Sequence, residues 1–254
     1  MSPRPPEPPP LTARGLHKHY RGATAPALVD VDLDVAAGEI VGLLGPNGAG
    51  KTTAISLMST LLPPDRGEVS IHGIDIRRHS RKARRHFGLV PQEIALYPAL
   101  TARENLTYLG RLYGLRGRSL RDRVADRLEM VGLSARADVR ISVCSGGMKR
   151  RANLAAGLIH HPRLLFLDEP TVGIDAQSRQ MILDRLAGLR DDGMAMVYTT
   201  HYMEEAEALC SRIAVIDAGR VIARGRPADL VAEHPDCRHL GDLFLRLTGR
   251  TLRD

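Results

Sequence analysis

The chain contains no tryptophan, three phenylalanines, six tyrosines and three cysteines among its 254 residues. Each scarcity closes off a class of function. The densest basic run, Arg77 to Arg85, has no interleaved aromatic side chains, so it lacks the stacking platform of a single-strand nucleic-acid binder and reads as a solvated helix face. Cys144, Cys210 and Cys237 are odd in number and have no metal-ligand spacing. That argues against a disulfide framework and leaves reduced thiols as the simple reading. A helix that spans a bilayer needs about 20 consecutive apolar residues. The longest apolar stretches here, such as Leu164–Leu167 and Ile213–Ile216, have the length of strands, so the chain is not expected to cross a membrane by itself. Nor is there a charged, then apolar, leader, which makes the cytoplasm the expected compartment. No internal repeat is visible.

Hydrophobic residues at 43% and charged residues at 26% are ordinary for a globular protein. The length suits one large domain, or a core carrying a smaller subdomain. A net charge of +7 suits nucleic acid, an anionic membrane surface or a phosphate ligand without choosing among them. Only the opening MSPRPPEPPP departs from globular usage; it has too few apolar groups to join a core and reads as a disordered or polyproline-like tail over residues 1–10.

Periodicity organises the rest. From Leu28 to Val35 apolar residues alternate with Asp30, Asp32 and Asp34, the period of a half-exposed strand. Ile40 to Leu44 is nearly unbroken and apolar, as a strand buried on both faces of a parallel sheet should be. Ala54, Leu57, Met58, Leu61 and Leu62 then recur at helical spacing until Pro63-Pro64. Thr101 to Ile159 turns helical, opening on a Thr101-to-Glu104 capping box. After Pro162 strands at Leu164–Leu167, Ala195–Thr200 and Ile213–Ile216 alternate with helices at Ala176–Leu189 and Met203–Leu209, and Ala218-Gly219 turns a late hairpin. The expected fold is α/β: a parallel-sheet core of the phosphate-loop NTPase kind, an N-terminal antiparallel β portion, and a helical subdomain inserted.

Between the buried strand and the first helix stands Gly45-Pro46-Asn47-Gly48-Ala49-Gly50-Lys51-Thr52, which satisfies the G-x-x-x-x-G-K-[ST] pattern in its required place; Thr53 follows in the helix and is counted with the nucleotide-binding residues. Its glycines let backbone N–H groups crowd around phosphates, and the helix N-terminus adds partial positive charge. Lys51 is expected to reach the outer phosphates and the Thr52 hydroxyl to take one Mg²⁺ position. A second strand, Leu164-Leu165-Phe166-Leu167, ends in Asp168-Glu169, at the carboxyl edge where open α/β sheets bind ligands. Asp168 is suited to hold Mg²⁺ and Glu169 to polarise an attacking water as general base.

Ser145-Gly146-Gly147-Met148 and the basic, Ala-rich segment after it precede that strand. With this the chain resembles the ATP-binding-cassette family, whose signature usually reads L-S-G-G-Q, and the S-G-G-M-K-R-R variant looks like the branch serving exporters of the ABC-2 type. Ser145, Gly146 and Gly147 at a helix start would make a second anion site for the γ-phosphate. The resemblance extends to Gln92 in Val90-Pro91-Gln92-Glu93, matching the glutamine loop that touches Mg²⁺ or the attacking water; to Asp175, in the loop that crosses a dimer interface; to His201, matching the switch histidine; and to Tyr20, matching the aromatic that stacks on adenine. Cys144 replaces the usual Leu, Met148 the usual Gln and Ile174-Asp175-Ala176 the usual Leu-Asp-Pro, but the residues that would touch phosphate are intact.

The resemblance implies a cassette domain over 11–235, with its helical subdomain over about 98–160 and a C-terminal helical extension over 236–254. It further implies ATP and Mg²⁺ as cofactors, a head-to-tail homodimer in the ATP-bound state, and an integral membrane permease of the ABC-2 type as partner, with the chain peripheral on the inner face of the membrane. The function so implied is ATP hydrolysis that powers export of a drug, antibiotic, lipid or polysaccharide. The rival is a cassette ATPase acting on nucleic acid or ribosomes; it is disfavoured because there is neither a long coiled-coil insertion nor a second cassette, and no nucleic acid is expected as partner.

Overall fold

A computed structural model describes residues 7–249 of the chain. In chain order the first elements are β1 (Leu11–Lys18), β2 (Leu28–Val35), β3 (Ile40–Leu44), α1 (Lys51–Met58), β4 (Arg66–Ile71), β5 (Ile74–Asp75), α2 (Ile76–Ala83) and β6 (Phe87–Val90). A helical stretch follows, with α3 (Ala102–Leu112), α4 (Gly117–Met130) and α5 (Gly146–Gly157). The chain then returns to alternation through β7 (Leu164–Asp168), α6 (Ala176–Asp191), β8 (Ala195–Thr200), α7 (Met203–Leu209), β9 (Arg212–Asp217), β10 (Arg220–Gly225), α8 (Pro227–Ala232) and α9 (Leu240–Thr248).

Two sheets result. The first is antiparallel, ordered β2-β1-β4-β5. In β2 the apolar residues Val31, Leu33 and Val35 are buried while Asp30 and Asp32 are exposed, as a period of two requires. Leu28 is also buried but out of that phase, because the pairing with β1 shifts register around Asp30, which takes φ 54°. The second sheet is ordered β10-β9-β3-β8-β7-β6, parallel except for β10, which folds back on β9 across Ala218 and Gly219. Every residue of β3, β7 and β8 is buried, which is why those segments do not alternate and stay mostly apolar until their carboxyl ends, where Asp168, Thr199 and Thr200 stand. Their successive side chains divide between two cores. Val41, Leu43, Phe166 and Val197 pack toward α1 and the antiparallel sheet, whereas Leu44, Leu165, Leu167 and Tyr198 pack toward the later helices. Burial of each such side chain is worth roughly 1.5–3 kcal/mol. The outcome is a rigid slab whose carboxyl edge carries the candidate site.

Helix α3 opens with the expected capping box: Glu104 N–H donates to Thr101 Oγ1 at 3.1 Å and Thr101 N–H to Glu104 Oε2 at 2.8 Å. Two expectations need correction. Helix α1 ends at Met58, capped by Ser59, and does not run on to Leu62; Thr60 takes φ 64° and Leu61 is exposed, so the chain turns before Pro63 is reached. The Pro-rich segment also joins the fold earlier than expected. Pro10 is buried and its carbonyl accepts from His72 N–H at 3.1 Å, while residues 1–6 lie outside those described. At the other end, α9 buries Leu240, Leu243 and Phe244 against α7 and α8. Among the described residues no helix is long and apolar enough to cross a membrane.

Candidate nucleotide site

The loop that leaves β3 must reverse direction in six residues before α1 begins, and Gly50 makes this possible. It adopts φ +110°, and a Cβ there would lie 2.5 Å from the Ala27 carbonyl oxygen, a conformation and a space that only glycine tolerates. Lys51 heads α1 but folds back into the loop, where its Nζ donates to the Gly45 carbonyl at 2.7 Å and the Pro46 carbonyl at 3.2 Å. Lys51 is 6% exposed. Burial pulls Lys51 below the usual lysine range, opposed by the Glu169 and Asp168 carboxylates. A buried cation ringed by carbonyl oxygens in a loop of N–H groups is arranged for an anion carrying several charges.

Strands β3, β8 and β7 are adjacent and parallel, so their carboxyl ends deliver the loop, His201 and the acid pair to one edge. Thr199 fixes the acids: its hydroxyl donates to Asp168 Oδ1 at 2.7 Å and accepts the Glu169 N–H at 2.9 Å. Glu169 takes φ 46°, a left-handed conformation that costs a non-glycine residue roughly 1–2 kcal/mol. This strain turns the side chain toward the phosphate loop. Three of the sequence-selected residues meet there. Lys51 Nζ lies 3.8 Å from Glu169 Oε1, Gln92 Nε2 donates to Oε2 at 3.2 Å, and His201 Nδ1 lies 3.4 Å from Oε2. Thr52 and Thr53 are on the first turn of α1, with Thr52 exposed, and the Tyr20 hydroxyl reaches Thr53 Oγ1 at 3.3 Å with its ring 40% exposed beside the loop.

Ser145, Gly146, Gly147 and Asp175 do not join that cluster. Among the described residues no hydrogen bond or ion pair links Ser145–Gly147 to Lys51–Thr53. Ser145 caps α5, accepting Met148 N–H at 3.2 Å, and Asp175 caps α6, accepting Ser178 N–H at 2.8 Å. The Ser178 N–H holds the Asp175 carboxyl below its usual range. The two helix starts lie against each other so closely that a Cβ on Gly147 would collide with Ser178 Oγ. One chain therefore carries two separate patches, a cationic loop with acids and a capped serine-glycine helix start.

Several residues that shape the site were not singled out from sequence. Arg150 donates to the carbonyls of Gln92 and Val172, the latter at 3.3 Å, and burial lowers its guanidinium from the usual range. Asn153, buried on α5, donates to the Pro91 carbonyl at 3.2 Å and accepts Ala95 N–H at 3.1 Å. Together they clamp the glutamine loop onto the helix that Ser145 caps. A polar Asn153 within the run Ala152 to Ala156 was a legible anomaly; Thr199, one of two threonines before a histidine, carried no such mark. The thiols play no part here. Cys144 is buried and its Sγ bonds the Arg140 carbonyl at 3.3 Å, while burial, and then the Glu205 charge, pushes Cys210 up to about 12.

A divalent cation would find few carboxylates, and no group of three or more His, Cys, Asp or Glu among the described residues could hold one. What the site offers is one carboxylate, Asp168, one exposed hydroxyl, Thr52, and the amide oxygen of Gln92, whose nitrogen is turned to Glu169. Such a sparse set of hard oxygen donors fits Mg²⁺, which keeps waters and takes substrate phosphates, and does not fit a cation that needs a protein cage.

A strand-loop-helix phosphate cradle with a strained acid beside it defines a nucleoside-triphosphatase. Residues 28–172 match the profile of the ABC transporter family. The linearmycin resistance ATP-binding protein LnrL of Bacillus subtilis is 48% identical over 239 residues, spanning 94% of this chain and 74% of that protein. The Nod factor export ATP-binding protein I of Bradyrhizobium diazoefficiens is 45% identical over 208 residues, 82% of this chain and 68% of the relative. A solved ATP-binding subunit of an ABC transporter superposes with a TM-score of 0.84 at 30% identity, covering 93% of this chain and 98% of the other. An ATP-binding cassette solved as a dimer with ADP and Pi gives a TM-score of 0.79 at 29% identity, covering 85% and 98%. The chain belongs to the ABC transporter family, as one of its ATP-binding, ATP-hydrolysing cassette subunits. Cassettes of this family dimerise and work with membrane permeases.

Proposed function

We propose that the chain drives an exporter of the ABC-2 type from the inner face of a membrane, two copies acting on a separate permease. Support comes from relatives named for antibiotic resistance and Nod factor export, and from the meeting of Lys51, Gln92 and His201 on Glu169. That convergence is the observation that carries the reading, because it gives one carboxylate the partners of a hydrolytic base. Residues 11–235 act as the cassette, about 98–160 as its helical subdomain and 236–254 as a C-terminal extension.

In the closed dimer the phosphates of ATP lie in the loop Gly45–Thr53 of one copy, with the Lys51 ammonium turned from its carbonyl partners to the outer phosphates. Ser145, Gly146 and Gly147 of the second copy cover the γ-phosphate, and Asp175 crosses the interface. Glu169 takes the proton of the attacking water, and His201 holds Glu169 and the transferring phosphoryl group in line. Lys51 spreads the charge that develops on that group, which is the main source of rate in phosphoryl transfer. Thr52, Asp168 and Gln92 would hold Mg²⁺, which would supply positive charge to offset that of the phosphates. Closure and reopening reach the permease through the helical subdomain. Beside the glutamine loop a 450 Å³ groove is lined by Leu61, Leu89, Ala95, Leu109 and Tyr113 together with Arg84 and His160, and Tyr97, Tyr108 and Leu112 are exposed in the same part of the sequence, large apolar side chains of the kind a partner covers.

Purified chain is expected to hydrolyse ATP, and to sediment with membranes only when a multi-span partner is produced with it. Nuclease-sensitive association with nucleic acid, without a membrane partner, would overturn the transport reading. Tyr20→Ala tests the adenine contact. Stacking of a base on an aromatic ring is worth about 1–3 kcal/mol, so KM for ATP should rise roughly tenfold with kcat retained. An unchanged KM would remove Tyr20 from the site.

A further inference from the structure

Glu205 lies on α7, four residues beyond His201, and is only 3% exposed. Among the described residues no hydrogen bond or ion pair links it to a residue assigned to nucleotide. Its Oε2 accepts three hydroxyls, from Tyr198 at 2.7 Å, Thr200 at 2.8 Å and Thr171 at 3.0 Å. Oε1 takes no hydrogen bond among the described residues and faces Arg179 Nε, on α6, at 3.7 Å.

These partners come from the segments that frame the reaction. Thr171 follows Glu169 by two residues, and Thr200 immediately precedes His201. The Thr200 hydroxyl also accepts Tyr202 N–H at 3.0 Å, and the Tyr202 ring tilts against His201 with centroids 4.3 Å apart. Arg179 lies one turn beyond Asp175, and its guanidinium sits over the Tyr202 ring, 4.4 Å from the centroid. A carboxylate only accepts hydrogen bonds, so it dictates the direction of all three hydroxyls. It thereby leaves the Thr200 oxygen free to hold the Tyr202 N–H.

We propose that Glu205 is a positioning residue for ATP hydrolysis, tying the segment after Glu169 and the segment before His201 to one buried carboxylate and, through Arg179, to the helix that Asp175 caps. This rests on the roles proposed above for Glu169 and His201. Glu205→Gln keeps the volume but loses the charge and one acceptor oxygen. With its amide oxygen in the place of Oε2 its NH₂ donors face the Arg179 guanidinium, and turned the other way they face the three hydroxyls, so the cluster loosens and the His201 segment is released from its register. ATP binding, which uses the loop at the end of β3, is untouched.

The test is a cycle of Glu205→Gln, His201→Ala and the double variant in the full chain. Glu205→Gln should lower kcat about tenfold with KM for ATP held within about twofold, and should change kcat less than about twofold once His201 is absent, because residues acting through one group are not additive. A packing role alone would lower the rate equally in both backgrounds. Thr200→Val, which deletes one of the three hydroxyls without changing volume, should reproduce the kcat loss at constant KM and serves if Glu205→Gln does not fold. Parental kcat in Glu205→Gln or, failing that, in Thr200→Val, or equal losses with and without His201, would overturn the proposal. A His201→Ala chain with parental turnover would instead refute the role of His201, and with it this one; a slow His201→Ala beside a normal Glu205→Gln sinks the present proposal alone.

Discussion

Glu169→Gln is expected to cut kcat for ATP hydrolysis by at least about a hundredfold, the usual worth of a positioned general base, while ATP still binds. The amide keeps the shape of the side chain, and the backbone stays in place because the Glu169 N–H is held by the Thr199 hydroxyl and carbonyl. What is lost is the charge. Without it the attacking water has no proton acceptor, and Lys51, relieved of a carboxylate 3.8 Å away, keeps only Asp168 as a competing anion and gives more of its charge to phosphate. Binding should therefore be equal or tighter, and ATP-bound dimers should accumulate. Phosphate release and ATP-dependent elution as a dimer report the two halves of the prediction. Turnover at the parental rate would remove Glu169 from the mechanism.

The sequence and the structure agree best where one physical constraint dominates. A strand buried on both faces is largely apolar, so β3 and the Leu164–Leu167 part of β7 were legible as apolar runs, and β8 by its place in the strand-helix alternation. The phosphate loop, the acid pair and the capping box at Thr101 were legible for a similar reason: each needs particular side chains at fixed spacing within a few residues. Legibility failed where a short-range pattern competed with geometry set from afar. Leu61 and Leu62 continue the helical spacing of α1, yet the chain turns at Thr60 and leaves Leu61 exposed at the rim of the groove. The hydroxyls and amides that orient the site were also hidden. Thr199, Asn153 and Glu205 act only because strands and helices far apart in sequence bring their partners within about 3 Å. Composition has no record of that. Motif spacing likewise marked Ser145 and Lys51 as candidate phosphate-binding residues; that they stand on separate patches was implied by the resemblance, through its head-to-tail dimer, and not by the spacing.

That separation leads to the second large effect, a pair of inactive variants that restore each other. Lys51→Ala removes the ammonium from the phosphate loop. Ser145→Asp keeps the cap of α5, since aspartate accepts Met148 N–H as well as serine does, but sets a negative charge against a triphosphate. Each alone should hydrolyse ATP at no more than about one hundredth of the parental rate, because in the proposed mechanism Lys51 and the serine-glycine cap both act on the transferring phosphoryl group. In a mixed dimer the Ser145→Asp copy supplies an intact Lys51 and the Lys51→Ala copy an intact Ser145, so one complete site forms across the interface. Random pairing of equal amounts makes half the dimers mixed with one working site of two, and the mixture should recover about a quarter of the parental rate if sites are independent. Thermal melting of Ser145→Asp should stay near the parent, which separates the loss of activity from loss of the helix cap. If ATP were instead handled within a single chain, mixing would yield only the sum of two inactive proteins, and the head-to-tail arrangement would have to be abandoned even though the family and the fold stand.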